Sequence, residues 1–320
     1  MKRTIVFVAL VFSCAAYAQQ QSYPSRPIRM IVPWPPGQAT DLAGRVVAQK
    51  LTELLGQQVI ADNRPGAGGT IGTDIAAKAA PDGYTLLAAS SGPVTISPLL
   101  QKVPFDPNRD LAPVANVGLS PYLLVTTPKF PAGNIREFVA AIKASPGKYR
   151  FASSGTGATA HLVAEMFNGA TGLQAVHVPY KGSSAALTDV IAGDVTYATE
   201  TMAATMPHVR TGRLKAYGIS TAKPSALAPG VEPFATALGL SGFDAAAWIG
   251  VMVPSGTPKP VVDRLSRAVD TAMQASDTRE RLNAAGLEVD YRPTSEFGGY
   301  LKDQRARFAD IIRKNNIRIE

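Results

Sequence analysis

The chain has 320 residues, with 32 Lys and Arg against 24 Asp and Glu, three His, a single Cys and a formal charge of +8. That length can bury one large core or two smaller ones without covalent staples, and one thiol excludes a disulfide framework. No run of Lys and Arg is interleaved with aromatics, which argues against a nucleic-acid surface and leaves solubility or a mild bias toward anionic ligands.

The first residues read as a leader. Met1-Lys2-Arg3 is basic, Ile5 to Phe12 is apolar, and Ala16-Tyr17-Ala18 is a small-residue cleavage signal before Gln19. The apolar run is too short to span a bilayer, and Val11-Phe12-Ser13 ahead of Cys14 matches a lipoprotein signal poorly. Sec-type export with cleavage after Ala18 is expected. Losing residues 1–18 removes the only Cys and two basic residues, leaving 30 bases against 24 acids and a charge of +6. The mature chain must therefore be held together by its own core.

Ile28 to Val32 is a short apolar run of strand length, broken by Pro33, Pro35, Pro36 and Gly37. A helix follows, with Leu42, Val46, Val47, Leu51, Leu54 and Leu55 on one face, Thr40 or Asp41 as its cap and Gly56 as its stop. Strand, stiff loop and helix start present backbone N–H groups at a sheet end, where α/β proteins hold anions. Gln57–Arg64 reads as a second strand, and a glycine-rich stretch, Arg64–Asp74, leads into a helix over Thr73–Ala80. Its glycines do not fit a dinucleotide fingerprint, because the sixth position from Gly66 is Ile71, and there is no Gly-Lys-Ser/Thr. A tight chain crossing is the preferred reading over a phosphate site.

Tyr84–Ala89 is a strand whose C-terminal end carries Ser90 and Ser91, on the side that faces the crevice in doubly wound sheets. Lys102–Pro113 reads as a surface connection, Tyr122–Thr126 as a strand and Gly133–Ala144 as a helix. The opening arrangement then recurs: strand Tyr149–Ala152, loop Ser153–Gly157, and a helix bearing Leu162, Val163, Met166 and Phe167. Small hydroxyl residues at a helix start offer both O–H and N–H donors, which suits a carboxylate. Further strands are expected at Ala175–Tyr180, Asp194–Thr199, Arg213–Ser220 and Trp248–Val253. Helices are expected after Ser183, over Pro207–Gly212, 258–276 and 277–285, and over Thr294–Ile312. About ten strands alternating with helices predict an α/β protein with largely parallel sheets.

His161, His177 and His208 have no metal-ligand spacing, so no metal or cofactor is expected. His161, in the first turn of the second candidate helix, is read either as a ligand contact or as a polar surface residue. The other two read as structural. Ser154-Gly155-Thr156-Gly157 is not Gly-x-Ser-x-Gly, and no nucleophile–base–acid set is evident. Binding is favoured over catalysis.

The segments YPSRPIRMIVPWPPGQATDLAGR, DNRPGAGGTIGTDIAAKAAPDGYTLL, FASSGTGATAHLVAEMF and VPYKGSSAALTDVIAGDV, with WIGVMVPSGTP further on, run in one order across nearly the whole mature chain. Together they resemble the Bug receptors, periplasmic solute-binding proteins of tripartite tricarboxylate transporters. The resemblance implies a type II periplasmic-binding-protein fold: two α/β domains, 19–124 plus 246–320 and 125–245, around a central ligand cleft. It also implies that loops matching Pro33–Asp41 and Ser153–Thr159 pinch a ligand carboxylate through backbone amides and ordered waters.

Candidate ligand residues are Trp34, Pro36, Gly37, Gln38, Ala39, Thr40 and Asp41, with Ser90 and Ser91. From the second loop come Ser154, Gly155, Thr156, Gly157, Ala158 and Thr159, with His161 and Glu200 beyond it. Trp34 stands where the family commonly has Phe, Gln38 where it has Gly, and Thr196 and Glu200 where it often has acids. Trp34 reads as a stacking platform for an aromatic acid or as a larger wall. Glu200 reads as a partner for a ligand amine or, preferably, for an arginine. Asp41 is expected to order its loop through local N–H bonds. The implied function is capture of a small carboxylate by a monomer that delivers it to transporter membrane components. Docking on a sensor kinase's periplasmic domain is the second reading, and an exported hydrolase using Ser154 or Ser91 the third.

Overall fold

The computed structural model describes residues 23–314 and Ile317; the leader expected over residues 1–18 lies outside them. In the first part of the chain, strands β1 (Ile28–Val32), β2 (Val59–Asn63) and β3 (Thr85–Ser90) alternate with helices α1 (Ala39–Leu55), α2 (Thr70–Ala77) and α3 (Ser97–Leu100). A long strand, β4 (Leu111–Thr126), follows. Next come α4 (Ile135–Lys143), β5 (Arg150–Ser153), α5 (Thr159–Thr171), β6 (Val176–Pro179), α6 (Ser183–Ala192), β7 (Tyr197–Thr201), α7 (Met202–Arg210), β8 (Lys215–Ile219) and α8 (Phe234–Leu238). The chain returns through β9 (Ala246–Pro254), α9 (Lys259–Gln274), α10 (Ser276–Ala284), β10 (Glu288–Pro293) and α11 (Thr294–Lys314).

The strands run in the order β2-β1-β3-β9-β4-β7-β5-β6, with β8 and β10 also pairing with β4. Each arm is parallel: β1 pairs with β2 and β3, and β5 with β6 and β7. The centre is antiparallel, because β9 runs against β3 and β4, and β4 against β7, β8 and β10. The expectation of largely parallel sheets therefore holds for the arms only. β4 joins the halves, pairing with β9 from Leu111 to Pro121 and with β7 from Tyr122 to Thr126.

The first half of β4 overlaps the segment read as a surface connection. Its prolines hid it: Pro113 sits at a register shift against β9, where a ladder tolerates a residue without an N–H. β10 was missed because its residues EVDYRP are polar and only half-buried along their length.

β1 is buried except at Arg29, as a strand covered on both faces requires. α1 and α9 cover one side of the first arm, and Phe138, Phe151, Phe167, Tyr197 and Phe234 fill the second. α11 straps both halves: Phe297 packs edge-on against Trp248 in the first, while Phe308 is buried in the aromatic cluster of the second. Each fully buried ring of this kind is worth roughly 1.5–3 kcal/mol. No helix of the described residues is long and apolar enough to cross a membrane.

Candidate functional site

The loop from β1 into α1 is fixed by a buried carboxylate. Asp41 is only 1% exposed; it accepts from the Gly37 N–H at 2.9 Å, from Arg45 Nε at 2.9 and 3.1 Å and from Asn63 Nδ2 at 2.8 Å. Asn63 Nδ2 also donates to the Trp34 carbonyl, and Asn63 Oδ1 accepts from Arg45. Asp41 thus reaches back outside its helix to hold the loop. It is not the expected cap: α1 is preceded by Gln38, which makes no side-chain capping bond.

Two adjoining cavities lie between the halves, and Trp34 and Ser154 line both. The inner one, about 30 Å³, is bounded by Gln38, Ala39, Thr40, Ser90, Tyr122, Thr159, Ser183, Thr201 and Ala247 as well. Its space holds about two water-sized atoms, the number of oxygens in a carboxylate. The outer one, about 320 Å³, is bounded by Pro35, Gly66–Gly69, Gln101, Gly155, Thr156 and Pro179–Lys181. That is within the usual range for a small-molecule site. Among the described residues Lys181 is the only charged one lining either cavity.

Helix starts surround the inner cavity. Ala39 and Thr40 open α1, Thr159 opens α5, Ser183 opens α6, and Thr201 precedes α7; none of these four helices has a side-chain cap. Their uncapped N–H groups and aligned peptide dipoles give a positive potential without a formal cation. Hydroxyls from both halves supply further donors.

Hydrogen bonds close the halves upon each other. Gln38 Nε2 donates to Ser183 Oγ at 2.7 Å, Ser91 and Thr159 share a hydroxyl bond of 2.8 Å, and Ser97 donates to the Gly157 carbonyl at 3.2 Å. Ser183 Oγ in turn donates to Glu200 Oε2 at 2.6 Å. Glu200 is fully buried and accepts also from the Thr201 N–H, and Oε1 has no hydrogen-bond partner among the described residues. Burial raises its pKa to about 7, against the opposing effect of the Ser183 hydroxyl and of the Ser154 hydroxyl and N–H. The arginine expected as its partner is absent among the described residues: hydroxyls replace it.

Trp34 is a fixed wall. Its Nε1 donates to Ser90 Oγ at 2.9 Å, and its ring lies against Gly69, where an added Cβ would stand 3.2 Å from the ring and 3.1 Å from Pro93. Gly68, at φ +61°, would place a Cβ 2.7 Å from the Thr156 carbonyl of the opposite loop. The glycine-rich stretch is thus the tight crossing expected from its sequence, and it also roofs the outer cavity.

Of the candidate residues, Trp34, Gln38, Ala39, Thr40, Ser90, Ser154 and Thr159 meet at the inner cavity, and Gly155 and Thr156 at the outer. Others stand behind. Pro36 and Gly37 are exposed, and the Gly37 N–H is consumed by Asp41. Ser91 ties the halves through Thr159, Ala158 donates its N–H to the Gly155 carbonyl, and Gly157 gives its N–H to His161 Nδ1 at 3.4 Å.

His161 is therefore neither a surface residue nor a lining residue. It is 4% exposed and stacks on His177 with 3.9 Å between ring centroids. His177 Nε2 bonds Ser153 Oγ at 2.7 Å, and burial, then the neighbouring His161, lowers its pKa to about 3. This stacked pair supports the loop through Ser153 and the Gly157 N–H. No histidine is bonded to Ser154 or Ser91 among the described residues. Thr196 accepts from the Arg150 N–H, away from both cavities.

The sequence reading missed Tyr122, Ser183, Thr201 and Ala247 at the inner cavity and residues 66–69, Gln101 and 179–181 at the outer. The available signal was positional: loops after β1, β3, β5 and β6 all leave the C-terminal ends of strands on the same side as the cleft.

Residues 43–317 match the model of the tripartite tricarboxylate transporter family receptor. The chain belongs to that family. The receptor is 38% identical over 317 residues to protein BugT of Bordetella pertussis, covering 98% of this chain and 97% of that one. Among solved structures it is similar to Rpa4515 of R. palustris with adipate (28% identity, TM-score 0.89, covering 92% and 99% of the two chains). It is also similar to MatC of Rhodopseudomonas palustris with bound malate (30% identity, TM-score 0.85, 91% and 100%). The receptor has the α/β periplasmic-binding-protein fold of this family, whose members are periplasmic receptors for solutes and not enzymes.

Proposed function

We propose that the receptor captures a small dicarboxylate between its two halves and hands it to the membrane components of a tripartite transporter. One carboxylate occupies the inner cavity, the carbon chain lies along Trp34 in the outer cavity, and the second carboxylate faces Lys181. The observation that carries this reading is the inner cavity itself: about 30 Å³ of space, neutral lining, and the uncapped starts of α1, α5, α6 and α7. The adipate and malate held by the two similar structures are dicarboxylates of fitting size. On this reading residues 19–124 with 246–320 and residues 125–245 act as domains that close on the ligand, and the chain works as a monomer exported with cleavage after Ala18.

A thermal-shift panel of dicarboxylates, monocarboxylates and uncharged diamides of matched length tests it. A dicarboxylate at about 100 times its Kd stabilises by about 2.7 kcal/mol, while the diamides give no shift. Equal shifts with diamides, or none with any acid, overturn the reading. Lys181 is exposed, so Lys181→Ala should weaken dicarboxylates only about two- to fivefold. Monocarboxylate affinity should stay unchanged, as calorimetry with matched pairs would show.

A further inference from the structure

We propose that Glu200 is a ligand-contacting residue that takes up one proton when the ligand carboxylate enters the inner cavity and then donates a hydrogen bond to it. The inference rests on the carboxylate reading above. Glu200 is fully buried one layer behind the inner cavity: it is bonded to Ser183 and Thr201 and interacts with Ser154 and Tyr122, and those four residues line the cavity where Glu200 itself does not. Its Oε2 is occupied by the Ser183 hydroxyl and the Thr201 N–H, whereas Oε1 has no partner within hydrogen-bond geometry among the described residues, although the Ser154 hydroxyl and N–H lie near enough to the carboxylate to lower its pKa. Thr201 Oγ1, on a lining residue, is likewise buried without a partner among the described residues, and two neighbouring unpaired polar atoms mark the place of an absent group.

The sign of the surroundings decides what that group is. The helix starts that ring the cavity favour an anion and oppose a ligand ammonium. Two carboxylates meeting there cannot both stay ionised without a cation between them. Among the described residues none is paired with Glu200. Among the described residues of the packed elements, Tyr122 of β4 is the titratable group that feels the Glu200 charge, which adds to burial in raising its pKa. His161 and Glu165 of α5 face each other, Asp189 of α6 binds the Tyr180 hydroxyl, His208 of α7 lies by Arg213, and Asp41 of α1 is held by Arg45.

The proton comes from solvent onto Oε1, and the O–H then donates to a ligand carboxylate oxygen. Without ligand, Glu200 is largely ionised at pH 8, since its pKa in the closed protein is about 7. Binding should therefore absorb close to one proton there, and Kd should weaken about tenfold per pH unit above 7.

The experiment is calorimetry of adipate and malate binding at pH 8 in buffers of different ionisation enthalpy, with Kd followed from pH 6 to 9. Wild type should take up about one proton. Glu200→Gln, whose amide keeps a donor at the same place, should bind with no uptake and a flat pH profile. Binding by wild type without proton uptake, or the same uptake in Glu200→Gln, overturns the proposal and leaves the carboxylate reading standing. If neither acid binds wild type, both fall together.

Discussion

Asp41→Ala is expected to weaken ligand binding by about tenfold or more and to cost about 2–3 kcal/mol of stability. The side chain never reaches either cavity. Its two oxygens hold the Gly37 N–H, Arg45 and Asn63, and Asn63 in turn holds the Trp34 carbonyl. Removing it leaves the half-buried Asn63 amide and the Gly37 N–H without their acceptor and breaks a hydrogen-bonded charge cluster. The Trp34–Thr40 backbone, which carries the wall and the α1 start, is then free to move. A mere helix cap would behave differently: stability would fall by about 1 kcal/mol with affinity intact. Chemical denaturation and calorimetry on the same variant separate the two, and unchanged affinity would contradict the brace.

Gly68→Ala should damage binding more than folding. At φ +61° the residue lies in the left-handed region, where an alanine costs about 1–2 kcal/mol. The larger effect is steric. Chain neighbours aside, the three atoms nearest the added carbon belong to Thr156, Gly157 and Ala158, all across the cleft, and the nearest is the Thr156 carbonyl at 2.7 Å. An open arrangement of the halves has no such clash, so the variant should fold, favour the open form and bind at least about tenfold more weakly. Small-angle scattering should show reduced compaction on adding ligand. Wild-type affinity together with wild-type compaction would show that the two loops do not need to meet.

The parts of this structure that were legible in sequence are those set by neighbours in the chain. Ile28–Val32 had to be a buried strand because five residues with one charge can lie only in a covered sheet. The following prolines stopped it, and Leu42 to Leu55 restarted the chain as a helix. Loop Ser153–Gly157 was recognisable for the same reason. What stayed hidden depends on distant contacts. Gln38 and Ser183 are 145 residues apart, and nothing local tells that Ser183 turns its hydroxyl to Glu200 instead of capping its helix. His161 reads as polar and surface-bound until His177 is placed on top of it. The first half of β4 escaped because its prolines are tolerated only at the register shift and the strand end that the partner β9 supplies.

The central claim is that a carboxylate sits in the inner cavity, held by helix starts from both halves. A crystal structure with adipate or malate bound tests it most directly. One carboxylate is expected within hydrogen-bond distance of donors at the starts of α1, α5 and α6, with an oxygen against Glu200 Oε1 and the carbon chain along Trp34. A ligand lying wholly outside that cavity, or held there by lysine or arginine side chains instead of helix starts, would contradict it.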